Sequence, residues 1–244
     1  MRIEFINGPV LSQELDILDL NQRSIFYVGT AGVDQFSVEN GLTENEVIVV
    51  VSGLPTVTFH STGRVIAHGG DGNDILQASG DFVLPVWFYG ESGDDRLKGG
   101  VSHDILMGGS GDDLLVGKQG RDFLVGGNGA DRIVGNADDD ILISGILDFG
   151  ETPIETAVSF VMQEWTSARS YGQRLLNLTD GSGTNDREND NYFLKWMETV
   201  KDDQDKDTLT GSAGSDWFFA NIDDDRITDL HDEAFADDFT FITS

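Results

Sequence analysis

The sequence predicts an all-β fold: parallel coils stacked into a solenoid, interrupted near the C-terminus by a helical insertion. Three observations carry this reading. Asp95, Asp104, Asp113, Asp122, Asp131 and Asp140 recur every nine residues without a slip. Each is sixth in a block that opens on glycine, at Gly90, Gly99, Gly108, Gly117, Gly126 and Gly135, and the eighth residue is always Leu or Ile. A proline-led amphipathic stretch then starts near Thr152, where the nine-residue register has been lost.

A helix needs apolar residues every three or four positions. Here two or three apolar residues alternate with a Gly/Asp-rich hexapeptide, so each block is a tight turn followed by a short strand. Glycine at the first position, and usually the fourth, gives the turn backbone conformations that other residues resist. One such unit cannot bury its aliphatic residue alone. Successive strands must therefore stack in parallel with Leu97, Leu106, Leu115, Leu124, Ile133 and Leu142 inside.

Stacked turns would place sixth-position carboxylates about 5 Å apart, the spacing of neighbouring strands. Anions that close repel unless a cation lies between them. Carboxylate and carbonyl oxygens, with no cysteine and no ordered histidine spacing, suit a hard ion with six to eight oxygen ligands, and calcium fits best.

These blocks match the nonapeptide GGxGxDxUx and so resemble the RTX (hemolysin-type) calcium-binding proteins. The resemblance implies a right-handed parallel β-roll in which two nonapeptides complete one coil and calcium is held between repeats n and n+2. It places Asp95, Asp113 and Asp131 on one edge and Asp104, Asp122 and Asp140 on the other, with four sandwiched ions between successive members. Ser102 and Asp138 depart from the pattern at the fourth position, and Glu91, Lys118 and Asn136 at the second. Lys118 brings a cation near a site and marks that loop as the weakest.

Less regular copies flank the array. GGDGNDILQ puts Asp74 in the sixth position. The twenty-one residues from Asp74 to Asp95 make Ala78 to Trp87 a coil with a looser turn. Asp34 takes the same role upstream, and Asp207, Asp216 and Asp225 recover the spacing of nine downstream. The acids at 203, 205 and 207 resemble the start of an EF-hand loop but lack its glycine and its glutamate, so Asp207 is a roll residue.

The remaining elements follow in order. Residues 1–20 fit a helix by Leu11, Leu15 and Leu18, or a strand by Leu15, Ile17, Leu18 and Leu20. From residue 20 to 67, SIFYV, QFSV, EVIVVV, PTVTFH and GRVIAH read as strands of wider, calcium-poor coils, with EVIVVV covered on both faces. Thr152, Pro153 and Glu155 signal a helix from Pro153 to about Ser170, extending towards Leu176. Its Ile154, Val158, Val161 and Trp165 share one face, and Trp165 and Phe160 are expected to pack on the end or flank of the solenoid. The resulting division is 1–67 lead-in coils, 68–147 roll, 148–205 insertion, and 206–244 degenerate turns with a cap or secretion segment.

A formal charge of −29, from 44 acidic and 15 basic residues, disfavours nucleic acid and anionic membranes as partners. The absence of cysteine excludes disulfides and thiolate sites. No HExxH, GxSxG or P-loop is present, and His60, His68, His103 and His231 have no ligand or catalytic spacing, so no enzyme activity is expected. His103, at a variable fifth position, is expected to face solvent. The N-terminus lacks the pattern of a cleaved signal. RTX proteins typically leave by type I secretion, and the acidic C-terminal segment ending in ADDFTFITS is similar to what that route reads. Phe239 to Ile242 reads equally as a last covering strand. The expected function is calcium binding by a secreted, extracellular module that folds on calcium. The alternative is a calcium-dependent adhesin that binds a glycan or protein, and a polysaccharide-active enzyme is a third possibility.

Overall fold

The computed structural model describes residues 2–4, 8–15, 22–229 and 234–236. Two long sheets face each other. One runs in space through Arg2–Glu4, Val10–Leu15, Arg23–Val28, Val65–Asp71, Val86–Ser92, Ile105–Ser110, Phe123–Asn128, Ile141–Ile143, Trp217–Phe219 and Ala234–Ala236. The other runs through Val57–His60, Glu46–Val51, Gln35–Asn40, Ile75–Ala78, Arg96–Lys98, Leu114–Gln119, Arg132–Ala137, Thr208–Ala213 and Arg226–Ile227. Consecutive blocks alternate between sheets, so each strand pairs in parallel with the one two blocks on. Leu97, Leu115, Ile133 and Leu209 align in one sheet. Leu106, Leu124, Leu142 and Phe218 align in the other. All are 0–1% exposed and meet in a single core between the sheets. Two blocks thus make one coil, as the ninefold register requires, and the fold is a parallel β-roll.

The N-terminal strands appear where the sequence places them, with a different topology. Arg23–Val28 and Gln35–Asn40 continue the parallel stack. Arg2–Glu4, Val10–Leu15, Glu46–Val51 and Val57–His60 instead add as antiparallel neighbours that finish each sheet. The strand reading therefore holds for Val10–Leu15, while Ile17, Leu18 and Leu20 lie outside the described residues. EVIVVV is not covered on both faces: Val47, Val49 and Val51 are buried, whereas Val50 is 37% exposed. Its pattern is that of an antiparallel strand with one wet face.

The expected single helix is two. Helix α1 spans Ile154–Trp165 and α2 spans Tyr171–Thr179. Pro153 is the N-cap of α1, with no side-chain capping bond, so Thr152 does not cap it. Thr166 ends α1 by returning its hydroxyl to the Met162 carbonyl. Ser170 opens α2, its N–H donating to Gln173 Oε1 at 3.2 Å. That S-x-x-Q capping signal was legible in the sequence.

Both helices lie on the outer face of the first sheet, where a second core forms from Trp87, Ile105, Phe123, Val125, Ile141, Ile143, Trp217 and Phe219 against Val158, Val161, Met162, Trp165 and Leu178. Trp165 is fully buried, 6.3 Å from the Trp217 ring, and its Nε1 donates to the Asp139 carbonyl at 2.9 Å. Phe160, half-buried, stacks on Tyr192 at 5.4 Å. The pair thus packs on the flank of the roll. The chain leaves the roll after Gly145 and returns at Asp202, its stem closed by Ile146–Leu147 pairing antiparallel with Val200–Lys201 and by a Lys201–Asp148 ion pair. The insertion is therefore spliced into one turn and leaves the stacking on either side unbroken. No described helix is long and apolar enough to cross a membrane.

Candidate metal centre: two ladders of aspartates

The turns fall on the two edges of the roll. On the first edge Asp34, Asp74, Asp95, Asp113, Asp131, Asp207 and Asp225 succeed one another. Each backbone N–H donates to the Oδ1 of the next aspartate at 2.7–2.9 Å. On the second edge Asp104, Asp122, Asp140 and Asp216 are linked in the same way at 2.8 Å, with the Val86 N–H donating to Asp104 Oδ1. Val86 thus stands where the looser coil from Ala78 to Trp87 has no aspartate. All the aspartates proposed from sequence lie in these columns. Their bodies are buried, Asp34 being the most exposed of the buried set at 8%, with Asp225 half-buried.

One carboxylate oxygen in each turn is thereby fixed. The other, Oδ2, is inaccessible and has no hydrogen-bond partner in Asp74, Asp95, Asp113, Asp122, Asp131, Asp140 and Asp207. A buried, unpaired carboxylate is expensive, because the charge has lost its water without gaining a donor. The first-position glycines explain where these atoms point. A Cβ on Gly90 would fall against Asp95 Oδ2 and lie 2.5 Å from the Gly108 carbonyl oxygen. Gly108 meets Asp113 Oδ2 and the Gly126 carbonyl in the same way, and Gly126 meets Asp131 Oδ2 and the Ser144 carbonyl. Gly99, Gly117 and Gly135 face Asp104, Asp122 and Asp140 likewise. Glycine is required here for space and not for backbone angle. The left-handed residues are instead the second and fourth, as at Gly109 (φ 119°) and Gly111 (φ 124°).

Burial is the main cause that drives the carboxyl pKa values up. It raises Asp95 to about 6, Asp113 to about 7, Asp207 to about 8 and Asp131 to about 9, with neighbouring aspartates adding to the shift. On the second edge burial raises Asp104 to about 7 and pushes Asp122 and Asp140 well above the usual carboxylate range, with the charges of flanking aspartates adding to the last two. Without a cation, burial favours the protonated form, which Asp95 gives up near pH 6 and Asp131 only near pH 9. An all-oxygen set of carboxylates and main-chain carbonyls, with no nitrogen or sulfur, fits a hard divalent ion. Calcium would be held by the unpaired Oδ2 atoms and the glycine carbonyls facing them, supplying the charge that lets these aspartates ionise.

Ten of the eleven turns are of two kinds. In the turns ending at Asp74, Asp95, Asp113, Asp122, Asp131, Asp140 and Asp216 the second and fourth residues are left-handed, even where they are not glycine: Glu91 (79°), Lys118 (86°), Asn136 (84°), Asp138 (74°) and Ser212 (82°). In the turns ending at Asp34, Asp104 and Asp225 neither is left-handed, and the second residue's N–H donates to Oδ2. The donors are Thr30, Gly100 and Asn221 at 2.6, 2.6 and 2.8 Å. The turn ending at Asp207 fits neither kind: its left-handed residue is the third, Gln204 (73°), and its Oδ2 has no hydrogen-bond partner. In the closed turns the buried carboxylate oxygen finds an N–H, and in the others it is left for a cation. Asp34 and Asp225 close the described ends of the first ladder, and Asp104 opens the second.

Sequence reasoning missed the fifth position. Asp94, Asp112 and Ala130 donate their N–H groups to Asn73, Asp94 and Asp112 side chains at 3.0–3.1 Å. On the other edge Arg121 donates to His103 Nδ1 at 2.8 Å and Ser215 to Asp139 Oδ1 at 2.9 Å. His103 is exposed as expected, yet it belongs to an outer row of acceptors, a signal present in the choice of Asn, Asp and His. Asp203 Oδ2 accepts the Gly129 N–H at 2.9 Å, tying the re-entry of the insertion to the turn before it. Among the described residues, Asp202, Asp224 and Asp225 also bring carboxylate oxygens close enough to share an ion. His231 lies outside the described residues, as does Phe239 to Ile242.

The model of the RTX calcium-binding nonapeptide repeat matches four times, over residues 61–81, 87–115, 116–146 and 201–228. The last copy falls after the insertion, where the turns are least regular. No curated protein and no solved structure matches the chain. With its glycine-lined turns stacked into two aspartate ladders, this chain carries RTX repeats of the calcium-binding kind.

Proposed function

We propose that the protein is a secreted module that folds on calcium outside the cell and has no catalytic activity of its own. The observation that carries this reading is the set of buried carboxylate oxygens without partners. They oppose the compact state when ionised and favour it once a divalent ion joins them. At the micromolar or lower calcium of a cytosol, extracellular-type sites with Kd of about 10⁻⁴ to 10⁻³ M stay empty. At millimolar calcium they fill, and binding to the folded state alone shifts the equilibrium towards it. The charge of −29 opposes compaction in the same direction until cations neutralise part of it. Type I secretion fits a chain delivered unfolded.

The test is a calcium titration followed by far-UV circular dichroism, with magnesium in parallel. A cooperative gain of β-structure specific to calcium supports the proposal. A chain fully folded in excess chelator, with no calcium uptake, rejects it.

A groove between α1 and the first coils supports a second reading, a calcium-dependent adhesin. It encloses about 470 Å³ between Arg64, Trp87, His103, Gln163 and Thr166, with the Arg64 guanidinium 4.1 Å over the Trp87 ring. Trp87 is buried beneath Arg64, and the polar side chains of the rim are of the kind that hydrogen-bond to sugar hydroxyls. Excision of residues 148–205 that abolished surface attachment while sparing calcium-dependent folding would favour it.

A further inference from the structure

We propose that the turn Gly99–Asp104 binds no calcium and that the Lys118 ammonium supplies its positive charge from within the chain. This rests on the calcium reading above and assigns where the second ladder of ions begins.

Three observations bear on this turn and on Lys118, which sits one coil further along the same edge. It has the closed form: neither Gly100 nor Ser102 is left-handed, and the Gly100 N–H donates to Asp104 Oδ2 at 2.6 Å. With Val86 donating to Oδ1 at 2.8 Å, both Asp104 oxygens are held by backbone, whereas Asp122 and Asp140 each keep one oxygen unpartnered. Second, the lysine is placed at a backbone cost. Lys118 has φ 86°, at a position where Gly109 and Gly127 serve the regular turns.

Third, its side chain runs back along the second edge to the preceding coils. Nζ donates to the Ala78 carbonyl at 2.7 Å and the Gly80 carbonyl at 3.3 Å, some forty residues away in sequence. There burial and the charge of Lys98 lower its pKa, while Asp104 and Asp81 attract the ammonium. Carbonyl oxygens at the head of a ladder, next to an aspartate, are the partners a calcium ion would take. A tethered ammonium takes them at every calcium concentration. The first coils of this edge therefore carry one positive charge of their own before any ion binds, and calcium is needed only from Asp122 onward. The irregularity at Lys118, weak as a metal loop, becomes a fixed cation.

Calcium stoichiometry by isothermal titration, with urea unfolding in chelator, tests this on the full chain. Asp104→Asn is expected to retain the wild-type number of ions, while Asp122→Asn loses about one. Lys118→Met is expected to lower the urea midpoint in chelator and leave the ion count unchanged. Loss of an ion in Asp104→Asn overturns the proposal, as does an unchanged chelator midpoint in Lys118→Met, which remains decisive if Asp104→Asn does not fold. Absence of calcium uptake by the wild type would instead reject the calcium reading itself.

Discussion

The two ladders are built from the same nonapeptide and end up in different surroundings. The first runs from Asp34 to Asp225 and leads into the sheet whose outer face is open, carrying the exposed Arg96, Lys98, Arg132 and Arg226. The second is shorter, begins at a closed turn and leads into the sheet covered by the insertion. Beside it Arg174, 1% exposed, pairs with Asp139, and Arg121 approaches the same carboxylate at 3.8 Å. Identical repeats thus acquire different charge environments. Local sequence sets the turn, and what covers it sets how strongly the turn needs a cation.

The comparison can be broken at its centre. Asp113→Ala with Asp122→Ala removes the middle of both ladders, and calcium-induced β-structure should be lost at millimolar calcium. Each single variant should only raise the calcium midpoint, more for Asp122 because its neighbours on both sides are deeply buried. Circular dichroism against calcium concentration checks both.

Next in size is glycine at the first position. In Gly108→Ala the new Cβ would meet Asp113 Oδ2 and lie 2.6 Å from the Gly126 carbonyl. The expected cost is about 2 kcal/mol or more. Glu91→Gly, at a left-handed second position, should instead be neutral or stabilise by up to about 1 kcal/mol. Urea denaturation in saturating calcium separates the two. Arg174→Met leaves Asp139 without its buried partner and should cost about 2 kcal/mol. Because Arg174 also lies over the Trp165 ring at 4.5 Å, tryptophan fluorescence should report the change.

The smallest and most graded effect is that of pH. The folded-state pKa values of the ladder aspartates are raised above their ordinary 3.8, so proton uptake stabilises the calcium-free roll. That stability is complete below about pH 4 and is lost as pH rises through about 6 at Asp95, 7 at Asp113, 8 at Asp207 and 9 at Asp131. In chelator, therefore, the urea midpoint attributable to these groups should fall from pH 5 to pH 9. In calcium the sign reverses, since protons compete for the same oxygens, and affinity should rise over that window. Parallel pH series with and without chelator read both slopes.

Much of the roll was legible because each repeat meets copies of itself. The position of Leu115 in its block fixes its neighbours as Leu97 and Ile133, so register, core and both columns follow from a spacing of nine. The covered face was also written in the sequence, though in a period of two blocks. Ile105, Phe123 and Ile141 at seventh positions alternate with Arg96, Leu114 and Arg132, and only the first set is roofed by the helices. The break between α1 and α2 was less accessible. Its one written signal is the S-x-x-Q start at Ser170, while the hydroxyl of Thr166 on the Met162 carbonyl and the anchoring of Trp165 on Asp139 and Trp217 appear only in the structure.

The sequence by itself determined a ninefold roll, two rows of aspartates and a hard cation as their complement, because a strict repeat turns local chemistry into long-range order. Only the tertiary structure decided which of those aspartates keep an open oxygen. It also decided how Asp207 joins Asp131 across the insertion and where Lys118 reaches. These depend on backbone handedness at the second and fourth positions, on a stem that closes between Gly145 and Asp202, and on burial, and none of the three is a property of one nonapeptide.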